Sequence, residues 1–418
     1  MFNLIERKNN VVKIVDSMMG TSKSTNILKW MNDNPNKNYI FVSPLLSEVD
    51  NGGRVHKELS NVTLEVPNDE VTTKSKSLLH MLEKGDSIAC THSLYLSMTD
   101  AHFYQMSINN YTVIIDEEVN VIGGFDKYSK SDLQWLLENN NIEISPDDGM
   151  VSWIGAREKI EPSHKYYEFI QYCDSKSLYC TKRSDTMTVT QLPIKLFECA
   201  KEVIVLTYMF KGNVLDCFLS LKGFEVEPFT EIKTDKVDKN KIRGLLNVIP
   251  PNNKIVDYQQ SSTWWSEANA KQINDIANFI KTNSLSLGLK GEDVCWTAPK
   301  SRSVKVGGQK KNLLKPKGYI QDKEGKPCYL AAQTRATNLY DHKKAMFHCY
   351  NRRPLVPVSA YLQDYGHPVD LQVFATSELL QWAWRGCIRK GEPMTLAIGS
   401  KRMHNFFMQW LNSNEEGL

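Results

Sequence analysis

Apolar residues fall along the first half of this chain in short β-branched runs, separated by longer stretches of mixed polarity. Val11-Val12-Lys13-Ile14-Val15, Tyr39-Ile40-Phe41-Val42 and Ser87-Ile88-Ala89-Cys90-Thr91 are three of them; Tyr111-Thr112-Val113-Ile114-Ile115 and Glu202-Val203-Ile204-Val205-Leu206-Thr207 are two more. Each is too brief for a helix and reads as a strand buried on both faces. Strands alternating with helical stretches predict an α/β fold, a doubly wound parallel sheet with helices on both sides. The texture changes over residues 147–193, where aromatics, a Lys-Arg pair and the alternation Met187-Thr188-Val189-Thr190 predict a small antiparallel insertion.

The second half repeats the style. A Lys/Asp/Asn/Pro-rich stretch from Val237 to Lys254 reads as a hinge, with Leu245-Leu246-Asn247-Val248 opening a second sheet. Two domains follow, 1–240 and 241–418. Ile273, Ile276 and Ile280 at three- and four-residue spacing predict a helix over Glu267–Thr282, and Val294-Cys295-Trp296-Thr297 a strand. In the segment from Glu378 to Arg389, Gln381, Arg385 and Arg389 stand at i, i+4 and i+8. On one helix they would form a polar stripe beside Leu380, Trp384 and Ile388.

Composition narrows the setting without naming a task. With 418 residues, 41% hydrophobic and 24% charged, the chain can bury two sizeable cores. A formal net charge of +3 means that any nucleic-acid groove is a local patch, not a global field. The nine cysteines form no C-x-x-C pair and no zinc spacing, which fits a reducing cytoplasm with no disulfide framework. No apolar run reaches the ~18 residues that a membrane span needs, so no membrane is expected.

Two strand ends carry candidate chemistry. After Val15 the chain breaks into Asp16-Ser17-Met18-Met19-Gly20-Thr21-Ser22-Lys23-Ser24-Thr25. A strand-to-helix junction of this kind points backbone N–H groups at one spot, where a polyphosphate binds. Gly20, Thr21, Ser22, Lys23, Ser24 and Thr25 are then the ATP-binding residues, Lys23 reaching the β/γ-phosphates and Ser24 the Mg²⁺ ion. Ser17 and Ser22 stand where G-x-x-x-x-G-K-[ST] has glycines, so an ordinary strand-turn-helix junction stays open on these residues alone. The second strand end is Asp116-Glu117-Glu118, three carboxylates closing an apolar run. Asp116 is placed to hold Mg²⁺ beside the Lys23 loop and Glu117 to polarise the attacking water; a solvated acidic turn is the plainer alternative. The cations Lys300, Arg302, Lys305, Lys310, Lys311, Lys315 and Lys317 either track a phosphate backbone or form a solvated loop. The arginines near the C-terminus either pair with surface carboxylates or serve as arginine fingers to a neighbouring domain's nucleotide.

Together these residues resemble superfamily 2 helicases of the DEAD/DEAH type. Ser17 to Ser24 resembles their A-x-x-G-x-G-K-[ST] motif I, Asp116-Glu117-Glu118-Val119 their D-E-x-x motif II, and Leu206-Thr207-Tyr208-Met209 sits where motif III is expected. Gln381-x-x-x-Arg385-x-x-x-Arg389 is similar to motif VI. The order implies two RecA-like lobes, with Glu117, Gln381, Arg385 and Arg389 catalytic and ATP and Mg²⁺ as cofactors. Arg335 to Tyr340 and Ser400-Lys401-Arg402-Met403 add a likeness to helicase-like proteins of bacteriophages and mobile elements. The resemblance implies an ATP-driven translocase on nucleic acid, single-stranded or forked DNA foremost, with replication proteins as partners. It also implies backbone contacts from Ser43-Pro44, Thr91-His92-Ser93 and Thr297-Ala298-Pro299-Lys300.

Two other classes fit parts of the sequence. Some phage terminases also use a serine immediately before the Walker lysine, as Ser22-Lys23 does, and such an enzyme would use acids such as Asp341, Asp364, Asp370 and Glu378 in a nuclease. A non-catalytic loader would use nucleotide only as a switch.

Overall fold

The structure, a computed structural model, describes residues 9–70, 72–157, 161–303, 313–334 and 339–413. The chain folds into two compact units. One holds the residues up to Ser17 together with Ser22–Thr234 and Pro354–Asp370; the other holds Met18–Thr21, Asp235–Arg353 and the residues from Leu371 on.

In the first unit, β1 (Val11–Asp16), β2 (Tyr39–Ser43), β3 (Ile88–Thr91) and β4 (Thr112–Asp116) come before an antiparallel insertion. The insertion contains β5 (Ile122–Phe125), β6 (Ile142–Ile144), β7 (Val151–Trp153), β8 (Leu178–Thr181) and β9 (Ser184–Gln191), after which β10 (Glu202–Thr207) and β11 (Glu225–Pro228) rejoin the main sheet. The main sheet is parallel throughout, in the order β11-β1-β10-β4-β2-β3. Strands covered by helices on both faces need continuous apolar runs, which is what β2, β4 and β10 have. β11, Glu225-Val226-Glu227-Pro228, lies at the sheet edge, where charge and proline are tolerated, so no apolar run announces it. The helix Lys23–Asp33 shares a core with the sheet through Ile27, Leu28 and Met31, which meet Phe41, Ile114 and Leu206. Each such side chain contributes about 1.5–3 kcal/mol on burial.

The insertion forms a three-stranded sheet, β5-β9-β8, and the hairpin β6-β7, over a core of Phe125, Leu133, Leu136, Phe169 and Leu178. It starts at Ile122, ahead of residue 147, because the glycines of Ile122-Gly123-Gly124-Phe125 hide a strand from the hydrophobic pattern. A helix from the second half of the sequence, Val356–Asp364, packs on β5, β8 and β9. Arg183 Nε donates to Asp364 at 2.8 Å and the Tyr361 hydroxyl to the Asp148 carbonyl at 2.8 Å. Pro354–Asp370 therefore sits with the first unit, although a single break near residue 240 is what the sequence suggests.

The second unit carries β12 (Leu246–Ile249), β13 (Val294–Thr297), β14 (Ala345–His348) and β15 (Met394–Ile398), all parallel, in the order β12-β15-β14-β13. The helix Ala270–Ser286 starts at a capping box between Asn269 and Gln272. It buries Ile273, Ile276, Phe279 and Ile280 in one core with Trp296, Phe347 and Ala397. Two doubly wound parallel sheets with one antiparallel insertion make two RecA-like lobes, as expected.

Candidate nucleotide-binding site

β1 ends at Asp16, and residues 17–22 lead directly into the helix that begins at Lys23. Gly20 has φ +81°, and a Cβ built on it meets nothing within 4 Å. Ser22 has φ +61°, the left-handed conformation that a glycine would adopt freely and that costs other residues about 1–2 kcal/mol. The chain thus keeps the glycine's backbone geometry at a position where the glycine itself is missing. The Thr21 hydroxyl donates to the Met18 carbonyl at 2.7 Å, and Lys23 Nζ donates to the Ser17 carbonyl, so the ammonium lies back against its own loop. Thr25 is exposed on the first helical turn.

The Ser24 hydroxyl reaches both carboxylate oxygens of Asp116, at 3.1 and 3.0 Å. Burial, then the neighbouring Glu117, pushes the Asp116 carboxyl up to about 6, while the Ser24 hydrogen bond and the charges of Arg54 and Lys23 pull it down. β10 lies between β1 and β4, so the Ser24–Asp116 contact spans the end of a strand that the sequence reading does not put there. That strand is tied to the acidic run: Glu117 N donates to Leu206 O at 3.0 Å and Thr207 Oγ1 to Glu118 Oε1 at 2.7 Å. Glu117, like Ser22, has positive φ, +64°. Strained non-glycine residues cluster where function over-determines the backbone.

Three residues of this neighbourhood escape sequence reasoning about the site. His92 Nε2 donates to the Asp116 carbonyl at 2.9 Å. Arg54, whose charge acts on Asp116, pairs with Glu48 at 2.6 Å. Asp16 accepts from Met209 N at 2.8 Å and Phe210 N at 3.0 Å. His92 stands in a strand-end segment that the pattern does mark; the other two carry no local signal, because their partners are remote in sequence.

The arginine stripe does not form. The helix Leu371–Ala383 stops before Arg385, and a separate 3₁₀ turn, Cys387–Lys390, carries Arg389. A Cβ on Gly386 would approach Met394 Sδ to 2.5 Å and Met346 Cγ to 3.0 Å, so the backbone sits against the sheet and the helix cannot run through. Gln381 donates to Ser377 Oγ at 3.1 Å, Arg385 is buried in the turn, and Arg389 is exposed. The three share no single helical face.

Among the basic residues, Arg302 is buried and donates to the carbonyls of Trp265 and Ser266 at 2.7 and 2.9 Å, which makes it structural. Lys315 and Lys317 are exposed; Lys305, Lys310, Lys311 and the segment Arg335–Asn338 lie outside the described residues. In the Ser400–Met403 segment, Ser400 caps a helix, and Arg402 donates to Asn351 Oδ1, Arg352 O and Leu371 O at 2.8, 3.0 and 2.9 Å. Three of the four acids named for the terminase alternative are dispersed in ion pairs: Asp341 with Lys390, Asp364 with Arg183, Glu378 with Arg352. No cluster of three metal-ligating side chains occurs among the described residues.

Comparison with known proteins agrees with this architecture. Residues 240–411 match the family model described as the YonV C-terminal Rossmann-like domain. The chain is 29% identical over 430 residues to the SPbeta prophage-derived uncharacterized protein YonV of Bacillus subtilis (strain 168), covering 96% of this chain and 99% of that one. Among solved structures, an apo XPD is similar with a TM-score of 0.53 and 12% identity, over 98% of this chain and 96% of that one. S. tokodaii Xpd4 gives a TM-score of 0.48 at 11% identity, over 99% and 96%. The chain has an XPD-like fold.

Proposed function

We propose that this protein is an ATP-dependent nucleic-acid translocase of the superfamily 2 helicase type, acting on DNA in a prophage or related mobile element. The observation that carries the reading is the Ser24–Asp116 contact at the carboxyl edge of the first sheet, beside a phosphate loop whose Ser22 holds a glycine's conformation. Ligands of open α/β sheets bind at that edge. The fold, shared with XPD, and the likeness to a prophage-derived protein support the same assignment.

The donor set suits the cofactors. A hydroxyl and a carboxylate on one spot are hard oxygen ligands of the kind Mg²⁺ takes, and the open space over Gly20 leaves room for phosphate against the backbone. Mg²⁺, when bound, neutralises charge on the β- and γ-phosphate oxygens. Lys23 would exchange the Ser17 carbonyl for those oxygens. Ser24 and Asp116 would hold the metal, the His92 bond fixing the Asp116 backbone. Glu117 would orient the attacking water, its direction set by the positive φ and the Glu117–Leu206 hydrogen bond. Gln381, Arg385 and Arg389 are proposed to act on the γ-phosphate charge during turnover.

The test is ATP turnover with and without single-stranded DNA, duplex DNA and RNA. Stimulation by nucleic acid is the expected result, with binding that weakens linearly in log–log against salt and shows little sequence preference. Mn²⁺-dependent cutting would point to a terminase instead, and nucleotide binding without turnover to a switch. Among the described residues no helix is long and apolar enough to cross a membrane.

A further inference from the structure

The carboxylate of Asp16, the last residue of β1, extends the sheet past its end. Ser17 N donates to Thr207 O at 3.0 Å, the last backbone bond between β1 and β10, and the Asp16 oxygens then take the N–H groups of Met209 and Phe210 at 2.8 and 3.0 Å. Met209 has φ +59°, a conformation that a non-glycine residue rarely adopts. Two successive N–H groups turned toward one point form a backbone nest for an anion, and here the anion is Asp16. Met209 and Phe210 are buried, whereas Asp16 is exposed.

From the nest the hydrogen bonds run on. Asn213 N closes the turn onto Phe210 O at 3.0 Å, and Asp370 N donates to Gly212 O at 2.9 Å. Cys217, on the helix that follows, faces the Pro368 carbonyl at 3.5 Å. The residue after Asp370, Leu371, starts the helix that carries Gln381. A chain of named contacts therefore leads from the strand feeding the phosphate loop, through residues 209–213, to the residue preceding that helix.

We propose that Asp16 is a positioning residue that locks the loop 208–213 to the root of the phosphate loop, so that nucleotide bound at Lys23 and Ser24 is sensed at Asp370. The proposal rests on the nucleotide-binding reading above. It adds a residue outside the motif resemblance, one whose two carboxylate oxygens are both engaged by the backbone of residues 209 and 210.

Hydrogen exchange on the full chain tests it. Without nucleotide, Asp16→Ala should speed exchange of the Met209 and Phe210 amides about tenfold or more, because each loses a charged acceptor. With Mg²⁺ and a non-hydrolysable ATP analogue, the wild type should gain protection over residues 17–25 and also at 209–210 and 370. Asp16→Ala should keep the first gain and lose the second. In turnover it should leave the ATP KM within a few-fold and lower kcat about tenfold, with Asp16→Asn, which retains one acceptor oxygen, recovering part of the loss. Unchanged apo exchange at 209–210 would overturn the clamp, and equal protection of residue 370 in both proteins would overturn the relay. If the analogue protects nothing in the wild type, including residues 17–25, the nucleotide reading itself fails and takes the relay with it. Should Asp16→Ala misfold, Asp16→Asn carries the same exchange test at reduced amplitude.

Discussion

The two parallel sheets present their carboxyl ends very differently. At the first, Asp16, Lys23, Asp116, Glu117 and Glu118 bring charge together, and Ser22, Glu117 and Met209 all have positive φ. At the second, β13, β14 and β15 end in Thr297, His348 and Ile398, each fully buried, and the residue with positive φ beside them, Gln260 (+51°), is buried and uncharged, its side chain donating to Gly399 O at 2.6 Å. His348 packs its ring edge-on against Trp382, centroids 5.3 Å apart. Both edges have the topology that binds ligands in open α/β sheets, so topology alone does not make a site. A charged residue on strained backbone, Glu117 beside Asp116, distinguishes the first edge; at the second the strained residue is a glutamine, and Arg352, the charge beside His348, is paired with Glu378 at 2.6 Å.

The sharpest way to break this contrast is to remove the Lys23 ammonium from the first edge. Lys23→Ala should reduce ATP turnover to background, a loss of roughly 10³-fold or more, since the phosphate charge loses its fixed partner. His348→Leu, at the quiet edge, should turn over ATP near the wild-type rate. If the two variants lose activity equally, strain and charge do not mark the site. Next in size is Arg389→Ala, expected to lower turnover by ~10³ while ATP affinity stays within a few-fold. Arg389 is exposed on its 3₁₀ turn, so a variant that merely melts earlier would give it a structural role and end the motif VI assignment. Glu117→Gln should cost ~10²-fold, and wild-type hydrolysis by that variant would remove Glu117 from the water-orienting role.

The same contrast explains what the sequence could reveal. Strands sealed between helices need unbroken apolar runs, so β1, β2, β3, β4, β10 and β13 are legible one by one. Edge strand β11 and the glycine-split β5 are under no such demand and leave no pattern. At the candidate site, Lys23, Ser24 and Asp116 are legible because phosphate and metal chemistry call for those side chains at strand ends. Arg54, Asp16 and the placing of β10 between β1 and β4 are long-range facts with no local trace. The arginine stripe fails for the opposite reason. Its spacing is helical, yet Gly386 is where the backbone must meet Met394 and Met346, and tertiary packing overrides the local period.

The smallest expected effect concerns the quiet edge and is read as stability. Burial, with the charge of Arg352 beside it, pulls the His348 ring down to about 3 from the ordinary histidine value. In the unfolded chain the ring takes up a proton near pH 6.5, while the folded protein refuses it until about pH 3. The unfolded state therefore binds more protons across that window, and stability present above pH 6.5 is lost as the pH falls through it. One such group costs about 1.4 kcal/mol per pH unit below its unfolded value, or about 2 kcal/mol at pH 5. His348→Leu removes the titration, so denaturant unfolding at pH 7.5 and pH 5 should show a smaller acid loss in the variant by that amount, whatever its absolute stability. Parallel losses in the two proteins would mean that the ring already protonates in the folded state, and His348 would then carry a charge that its burial argues against.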